Sequence, residues 1–600
     1  MRRRLTVTMA LVAMLVASLL PTGAATATPR APEYGLTVTE HIVGSKFGKL
    51  YVRVAHPTLK GKAVKAPSIF TYSPYWVLGT DGENFRRSSN DSWVPLGYNA
   101  VWADVVGTGN SGGCYDYGGE REKVTGAALV EWIAKQKWST GKVAMTGGSY
   151  EGTTATAAAV MKPKGLVTIV PEAAISRWYG YAYSNGIRYF LNNENPSDEG
   201  VDTPAAFDFG LAVPPPLDPD GADFQERFAE NMQPCDELEH MQHGYDDTPD
   251  YDKFWIERDY LRDAHKIKIP VLVAHNWGDW NVKQEEGWNL FNALTNAEKR
   301  VLYMGDRYTG HGTPDGKYDK YKEAWMAHYL KGVDNGIEDT PTIVSEGANY
   351  DGPLKYLAAD SVKTRDVALI AQEMPRTSET DWGWKLYPDK PLTGMMPTAA
   401  IFNSANVNTE YHAIHHARNN HDWYWFESPV LKKDVRIFGR PRIEIQVTAD
   451  REWITLTPTI VDVKTSCHES VANQHVQHPE CTAETGAGTA PRSLYSVTRG
   501  WMDSRYRNGL AKQQLAKPMQ PLAMTIPAHP TDYTFKKGHQ IGLLVATELN
   551  EWSVPKPYPC TSLECVQVRI NWEQGKTRLI LPMVNAPRDP KDLFDLGHHH

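Results

Sequence analysis

A basic stripe is missing from this 600-residue sequence: 63 Lys and Arg stand against 71 Asp and Glu, for a net charge of −8. Binding to nucleic-acid phosphates calls for clustered cations, so that class of partner is excluded. Long apolar runs are scarce. The run Met9–Leu20 is about 12 residues, short of the ~20 that a membrane-spanning helix needs, and no later segment is longer, so a membrane partner is not expected. Internal repeats and low-complexity tracts are absent. With 41% hydrophobic and 22% charged residues, the chain is neither disordered nor fibrous. Cysteine is sparse, at six. Trp and Tyr, by contrast, are plentiful at 19 and 29, which suits aromatic-lined pockets without naming a substrate.

The N-terminus sets an expectation about compartment. Arg2, Arg3 and Arg4 precede the apolar run, and Ala25-Thr26-Ala27 supplies the small residues of a cleavage site. A signal peptide over residues 1–27 is expected, hence a secreted protein whose mature chain starts near Thr28. Its removal takes three Arg and no acid, moving the net charge from −8 to −11. In an oxidising compartment an even number of cysteines suits disulfides. Spacing favours Cys467–Cys481 and Cys560–Cys565, leaving Cys114 with Cys235, although six cysteines allow about 15 pairings. His468, His475 and His478, between Cys467 and Cys481, offer a zinc alternative with less regular spacing than zinc sites use, whereas His412, His415, His416 and His421 could bind a metal but read better as a solvated cluster in a sandwich loop. No metal or organic cofactor is expected.

Six hundred residues exceed one ordinary core, since single domains run to roughly 100–200. Residues 36–56 alternate around Gly48 as a β-hairpin. Apolar runs at Ala66–Tyr72, Asn99–Val105, Lys142–Met145, Leu166–Val170, Ile269–His275 and Arg300–Met304 alternate with helical patterns at Gly126–Gln136 and Tyr318–Lys331. Alternation of this kind predicts a parallel sheet with helical crossovers. The rhythm breaks over residues 172–266, where Pro214-Pro215-Pro216 argues against a continuing sheet, so this stretch is expected to form a cap. Beyond residue 364 short alternating segments recur, among them Arg442–Ala449, Trp453–Val461, Leu522–Ile526 and Gln540–Ala546, as in an antiparallel sandwich. The expected division is a core over 28–171 and 267–363, a cap over 172–266 and an all-β module over 364–594. His598-His599-His600 reads as a tag remnant.

Gly147-Gly148-Ser149-Tyr150-Glu151-Gly152 follows a predicted strand and opens an Ala-rich helix. A serine on such a turn exposes its Oγ at the strand's end, and the glycines permit the steep backbone and close packing. The spacing is G-x-S-x-x-G, one residue longer than the usual nucleophile elbow. Two further residues fall at later strand ends in the order an α/β-hydrolase requires: Asp279, in His275-Asn276-Trp277-Gly278-Asp279, and His311, in Thr309-Gly310-His311-Gly312. The imidazole would take the Ser149 proton while the carboxylate fixes its tautomer. Tyr75, after an earlier strand, and the Tyr150 backbone N–H are the expected oxyanion donors.

These segments also carry a resemblance. The run from Gly97 to Gly152, together with Pro171–Tyr179, His275–Val282, Val497–Leu510, Lys537–Leu543 and Leu581–Val584, resembles the family of X-prolyl dipeptidyl aminopeptidases, cocaine esterase and α-amino-acid ester hydrolases. Several of these segments are closer to the X-prolyl branch. The resemblance implies an α/β-hydrolase core with a helical cap insertion and a C-terminal jelly roll. It also implies Ser149, Asp279 and His311 as triad and Tyr75 as oxyanion tyrosine. Lactic-acid-bacterial members carry a large N-terminal domain, and here the hydrolase segment follows directly on the expected signal, which leaves the oligomeric state open.

The implied substrate is a peptide with a free N-terminus and proline second. A carboxylate pairing with the α-ammonium would set the two-residue register. Glu172 is the first candidate, and Asp198 and Glu199 are the second. Trp178, Tyr179, Tyr181 and Trp277 are candidate walls of the proline pocket, with cap-core packing as the other reading. An esterase or acylase would keep the triad and need no ammonium anchor.

Overall fold

The computed structural model describes residues 33–75, 90–189, 249–306, 309–314, 316–348, 357–358, 362–373, 384–387, 399–402, 423–463, 494–547, 566–571 and 575–596. The expected signal peptide, Asp198, Glu199, both His clusters and every cysteine but Cys114 lie outside them. Cys114 is disulfide-bonded.

The N-terminal half is built on one 11-stranded sheet. In chain order its strands, with one separate hairpin, are β1 (Gly35–Ser45), β2 (Gly48–Leu59), β3 (Lys62–Ala63), β4 (Ala66–Ser73), β5 (Asn99–Asp104), β6 (Ser139–Gly148), β7 (Leu166–Glu172), the hairpin β8 (Tyr183–Ser184) and β9 (Ile187–Arg188), then β10 (Val271–Asn276), β11 (Arg300–Gly305), β12 (Ile343–Ser345) and β13 (Leu357–Ala358). The spatial order is β1-β2-β5-β4-β6-β7-β10-β11-β12-β13, with β3 on β2. Pairing is parallel from β5 through β12. The edges β1–β2 and β12–β13 are antiparallel.

Helices cover both faces, as buried parallel strands require. Along β10, Leu272 and Ala274 pack with Ile69, Val170 and Val301 under α6 (Tyr318–Lys331), through Trp325, Met326 and Leu330. Val271 and Val273 point the other way, into the cluster holding Leu129, Val130 and Ile133 of α1 (Glu120–Lys135) and Ala155 and Ala158 of α2 (Tyr150–Ala159). Helix α2 is only 10 residues, rich in Ala and Thr, too short to be stable in isolation. Burial against the sheet holds it, and its threonines are satisfied: Thr153 Oγ1 donates to Ser149 O within the helix, and Thr154 Oγ1 donates across to Tyr72 O on β4. Between β7 and β10 the described part of the insertion holds α3 (Trp178–Ala182) and α4 (Lys253–Glu257).

From Thr364–Glu373 to Arg578–Val584 the strands join a second, 14-stranded sheet. Its pairing is antiparallel apart from one contact, Lys385 with Glu427. Arg442–Ala449 alternates buried and half-buried residues strictly, as expected of a strand with one face on a core. This C-terminal β domain seats on the hydrolase core beside β10. Arg440 pairs with Glu285 at 2.9 Å on α5 (Glu285–Ala293), Ser345 Oγ donates to Asp532 at 2.7 Å, and Asn185 Nδ2 donates to Trp501 O at 2.9 Å. Among the described residues no helix is long and apolar enough to cross a membrane.

Candidate active site

Ser149 follows directly on β6 and caps α2, with φ 59° and ψ −124°. A non-glycine residue there is strained by about 1–3 kcal/mol, and the surroundings enforce it. Ser149 N donates to Glu172 O at 2.8 Å, pinning the turn to β7. A Cβ at Gly152 would lie 2.7 Å from Gly147 O and 2.8 Å from Glu172 N, so only glycine lets α2 start this close to the sheet. That is the physical content of the final glycine in G-x-S-x-x-G.

The expected oxyanion donors form a hydrogen-bonded chain that ends on Ser149. The Tyr75 hydroxyl donates to Ser149 Oγ at 3.0 Å and accepts from the Tyr150 N–H at 3.1 Å. Tyr75 stands two residues past β4, and its own N–H donates to Ser73 Oγ, which in turn donates to Glu151 at 2.8 Å. The Tyr150 side chain points away, giving its hydroxyl proton to buried Glu122 at 2.8 Å. Tyr150 thus contributes through its backbone alone.

Asp279 is fully buried, three residues past β10. Its Oδ1 accepts from the N–H groups of Asn281 and Val282 at 3.1 and 3.0 Å, and its Oδ2 accepts from His311 Nδ1 at 2.9 Å. Burial works to raise the Asp279 pKa, but the His311 charge and the hydrogen bonds from His275 and His311 outweigh it and hold the carboxyl below its ordinary value. His311, in the loop after β11, keeps 29% of its side chain exposed. Burial pulls its imidazole down, yet the Asp279 charge and hydrogen bond win, leaving it above 6.5. With Nδ1 committed to Asp279, Nε2 is the nitrogen left to act as base.

The substrate-binding expectations fare differently. Glu172 is 1% exposed and wholly engaged: its Oε1 accepts from Tyr318 Oη at 2.6 Å, and its Oε2 accepts from Lys322 Nζ at 2.7 Å and Thr146 Oγ1 at 3.3 Å. A buried carboxylate with both oxygens engaged, one of them by the Lys322 ammonium, is not open to a substrate ammonium, so the anchor role is withdrawn from it. Trp178 is cap core. It is fully buried, donates to Tyr260 Oη at 2.9 Å and packs edge-on against Tyr150. Tyr179 is likewise 1% exposed, bonded to Pro249 O and enclosed by Tyr183, Tyr251 and Trp255. Trp277 turns towards the C-terminal domain, donating to Ser345 Oγ and packing on Trp288 and Phe438. For these three the packing reading replaces the pocket-wall reading. Tyr181, at 4% exposed, reaches the loop after β10 through Asn281 Oδ1 at 3.4 Å.

Two features have no signal in the sequence. Lys283 is fully buried, its ammonium 3.6 Å from the Tyr189 ring centre and donating to Tyr181 O. Burial pushes its pKa down to about 8. Trp280, beside Asp279, packs edge-on against Trp501 and His529 and lies under Arg499, all from the C-terminal domain. That domain therefore braces the acid-bearing loop directly.

Known proteins agree with this architecture. The family described as X-Pro dipeptidyl-peptidase (S15 family) matches residues 48–309, and the X-Pro dipeptidyl-peptidase C-terminal non-catalytic domain matches 335–564. A Bacillus cereus relative is 27% identical over 550 residues, covering 85% of this chain and 84% of its own. The Xaa-Pro dipeptidyl-peptidase of Lactiplantibacillus plantarum is 30% identical over 520 residues, 78% of this chain but 61% of that longer protein. In fold, the chain is similar to a CocE/NonD family hydrolase from Staphylococcus aureus (TM-score 0.66, 17% identity, 92% of this chain and 94% of that one). It is similar also to an α-amino acid ester hydrolase (TM-score 0.65, 17% identity, 94% and 99%). Both domain types of the S15 X-Pro dipeptidyl-peptidases are thus matched in order along the chain, which is a serine hydrolase similar to that family.

Proposed function

We propose that this protein is a secreted exopeptidase that releases Xaa-Pro dipeptides from the free N-terminus of peptides through an acyl-enzyme on Ser149. The observation that carries the reading is the hydrogen-bonded chain from the Tyr150 N–H to Tyr75 Oη and on to Ser149 Oγ, with Asp279 and His311 coupled at the ends of two neighbouring parallel strands. His311 Nε2 takes the Ser149 proton as Oγ attacks the carbonyl carbon after proline. Tyr75 and Tyr150 then hold the oxyanion. The imidazolium returns the proton to the leaving amine, and water repeats the sequence on the ester. Asp279 stays ionised and keeps the imidazole in its Nδ1–H form.

With Glu172 engaged internally, the ammonium anchor passes in this proposal to Asp198 or Glu199. Secretion rests on the N-terminal charge and apolar pattern, and the pairing of Cys114 with Cys235 rests on spacing. The engagement of Glu172 also favours one rival, an esterase or acylase without an anchor. Release of p-nitroaniline from Ala-Pro-p-nitroanilide, run beside its N-acetylated analogue and a short p-nitrophenyl ester with Ser149→Ala as blank, separates the two. Turnover of the free-amine substrate alone supports the dipeptidyl-peptidase. Equal or better turnover of the blocked substrate and the ester overturns it in favour of the rival.

A further inference from the structure

Asp279 Oδ2 has a second imidazole beside it. His275, the penultimate residue of β10, is fully buried, with Nε2 2.8 Å from Val282 O and 3.3 Å from Asp279 Oδ2. Its Nδ1 is buried with no hydrogen-bond partner. The ring proton therefore belongs on Nε2, the side where both acceptors lie. Helix α5 closes the ring in, since a Cβ at Gly287 would fall 2.8 Å from Nδ1 and 3.1 Å from the His275 Cβ and Cγ. With two backbone N–H groups on Oδ1 and two imidazole N–H groups on Oδ2, every lone pair of the carboxylate is directed.

We infer that His275 is a positioning residue for the reaction: its Nε2–H, shared between Val282 O and Asp279 Oδ2, fixes the rotation of the Asp279 carboxylate that orients His311. This rests on reading Asp279 as the triad acid. His275 touches neither substrate nor the reacting atoms. It acts through the loop Asn276–Val282, whose two ends it ties together, so the distance between β10 and the carboxylate cannot drift.

The test exploits the shapes of two amides. A glutamine N–H reaches the position of imidazole Nε2, whereas an asparagine N–H reaches only that of Nδ1. In the full-length enzyme acting on Ala-Pro-p-nitroanilide, His275→Gln is expected to keep kcat within about threefold of the parent. His275→Asn is expected to lose about tenfold or more in kcat with KM little changed. Equal kcat in the two variants, or a folded His275→Gln that loses more than about tenfold, overturns the inference. Nitrogen-15 spectra of the unmodified histidine-labelled enzyme give an independent reading: a bare Nδ1 and protonated Nε2 at His275 are expected, and the opposite tautomer overturns the inference whatever the variants do. Asp279→Asn separates the two levels. If that variant stays fully active, the triad reading itself fails. If it is inactive while His275→Asn is not, only the role of His275 fails.

Discussion

The Tyr75 hydroxyl sits 3.0 Å from Ser149 Oγ, although 74 residues separate the two in the chain. One strand end delivers Ser149, the proposed nucleophile, and another delivers the proposed oxyanion donor. Removing only that hydroxyl, with Tyr75→Phe, is expected to cost about 10²–10³ in kcat with a small change in KM, since the hydrogen bond strengthens as charge develops on the substrate oxygen. Steady-state kinetics on Ala-Pro-p-nitroanilide checks it, and an unchanged kcat would remove Tyr75 from the oxyanion hole.

His311 sets the acid limb of activity. A general base works only when neutral, and Asp279 holds the imidazole pKa above 6.5 against the opposing effect of burial. Activity should therefore fall as pH drops through a midpoint above 6.5. Replacing Asp279 with Asn removes the anion that favours the imidazolium, so what activity remains should titrate at lower pH. The measurement is kcat/KM against pH for both proteins.

Glu172 is expected to matter for folding and not for substrate recognition. Glu172→Gln removes the partner of Lys322 in a largely buried pair, an effect of about 3 kcal/mol at the lower end of the range for such pairs. KM for a free-amine substrate should stay within about twofold, because no substrate contact is lost. Thermal melting and KM together decide. A large rise in KM with unchanged melting would restore Glu172 as an anchor.

Burial drives the Glu122 carboxyl up to about 8, against the hydrogen bonds from Gly118 N–H and Tyr150 Oη that pull it down. Between its ordinary 4.5 and about 8 the folded protein holds a proton that the unfolded chain releases. Stability from this group is thus present at low pH and is lost as pH rises through that window, by up to about 1.4 kcal/mol per pH unit. Glutamine cannot release the proton. The melting temperature of Glu122→Gln relative to the parent should rise between pH 5 and pH 8, and a constant difference would contradict the assignment.

Much of the frame is legible in the residues themselves. Tyr318–Lys331 reads as a helix and Arg442–Ala449 and Gln540–Ala546 as strands with the same bounds in sequence and structure, because apolar period and turn residues agree there. Helix α1 begins at Glu120, six residues before its apolar face becomes visible, because Glu120-Arg121-Glu122-Lys123 looks like a solvated loop. Burial of Glu122 depends on Tyr150, which only the fold brings near it. The same limit governs the aromatic residues. Trp178, Tyr179 and Trp277 flank the triad motifs, yet whether an aromatic side chain lines a cleft or fills a core depends on what packs behind it.

The sequence by itself determined the class of protein and singled out Ser149, Asp279 and His311 as the candidate nucleophile, acid and base. Glycine spacing and the order of strand ends are local properties, and chemistry at a strand end follows from them. Only the tertiary structure decided which charges are free to act. Glu172 is consumed by Tyr318 and Lys322 from a helix about 150 residues away. The hydrolase loop at Trp280 is held by Trp501, His529 and Arg499 of the other domain. Each of these depends on a partner distant in the chain, and the worth of a buried charge or imidazole is set by that partner and not by its own neighbours in sequence.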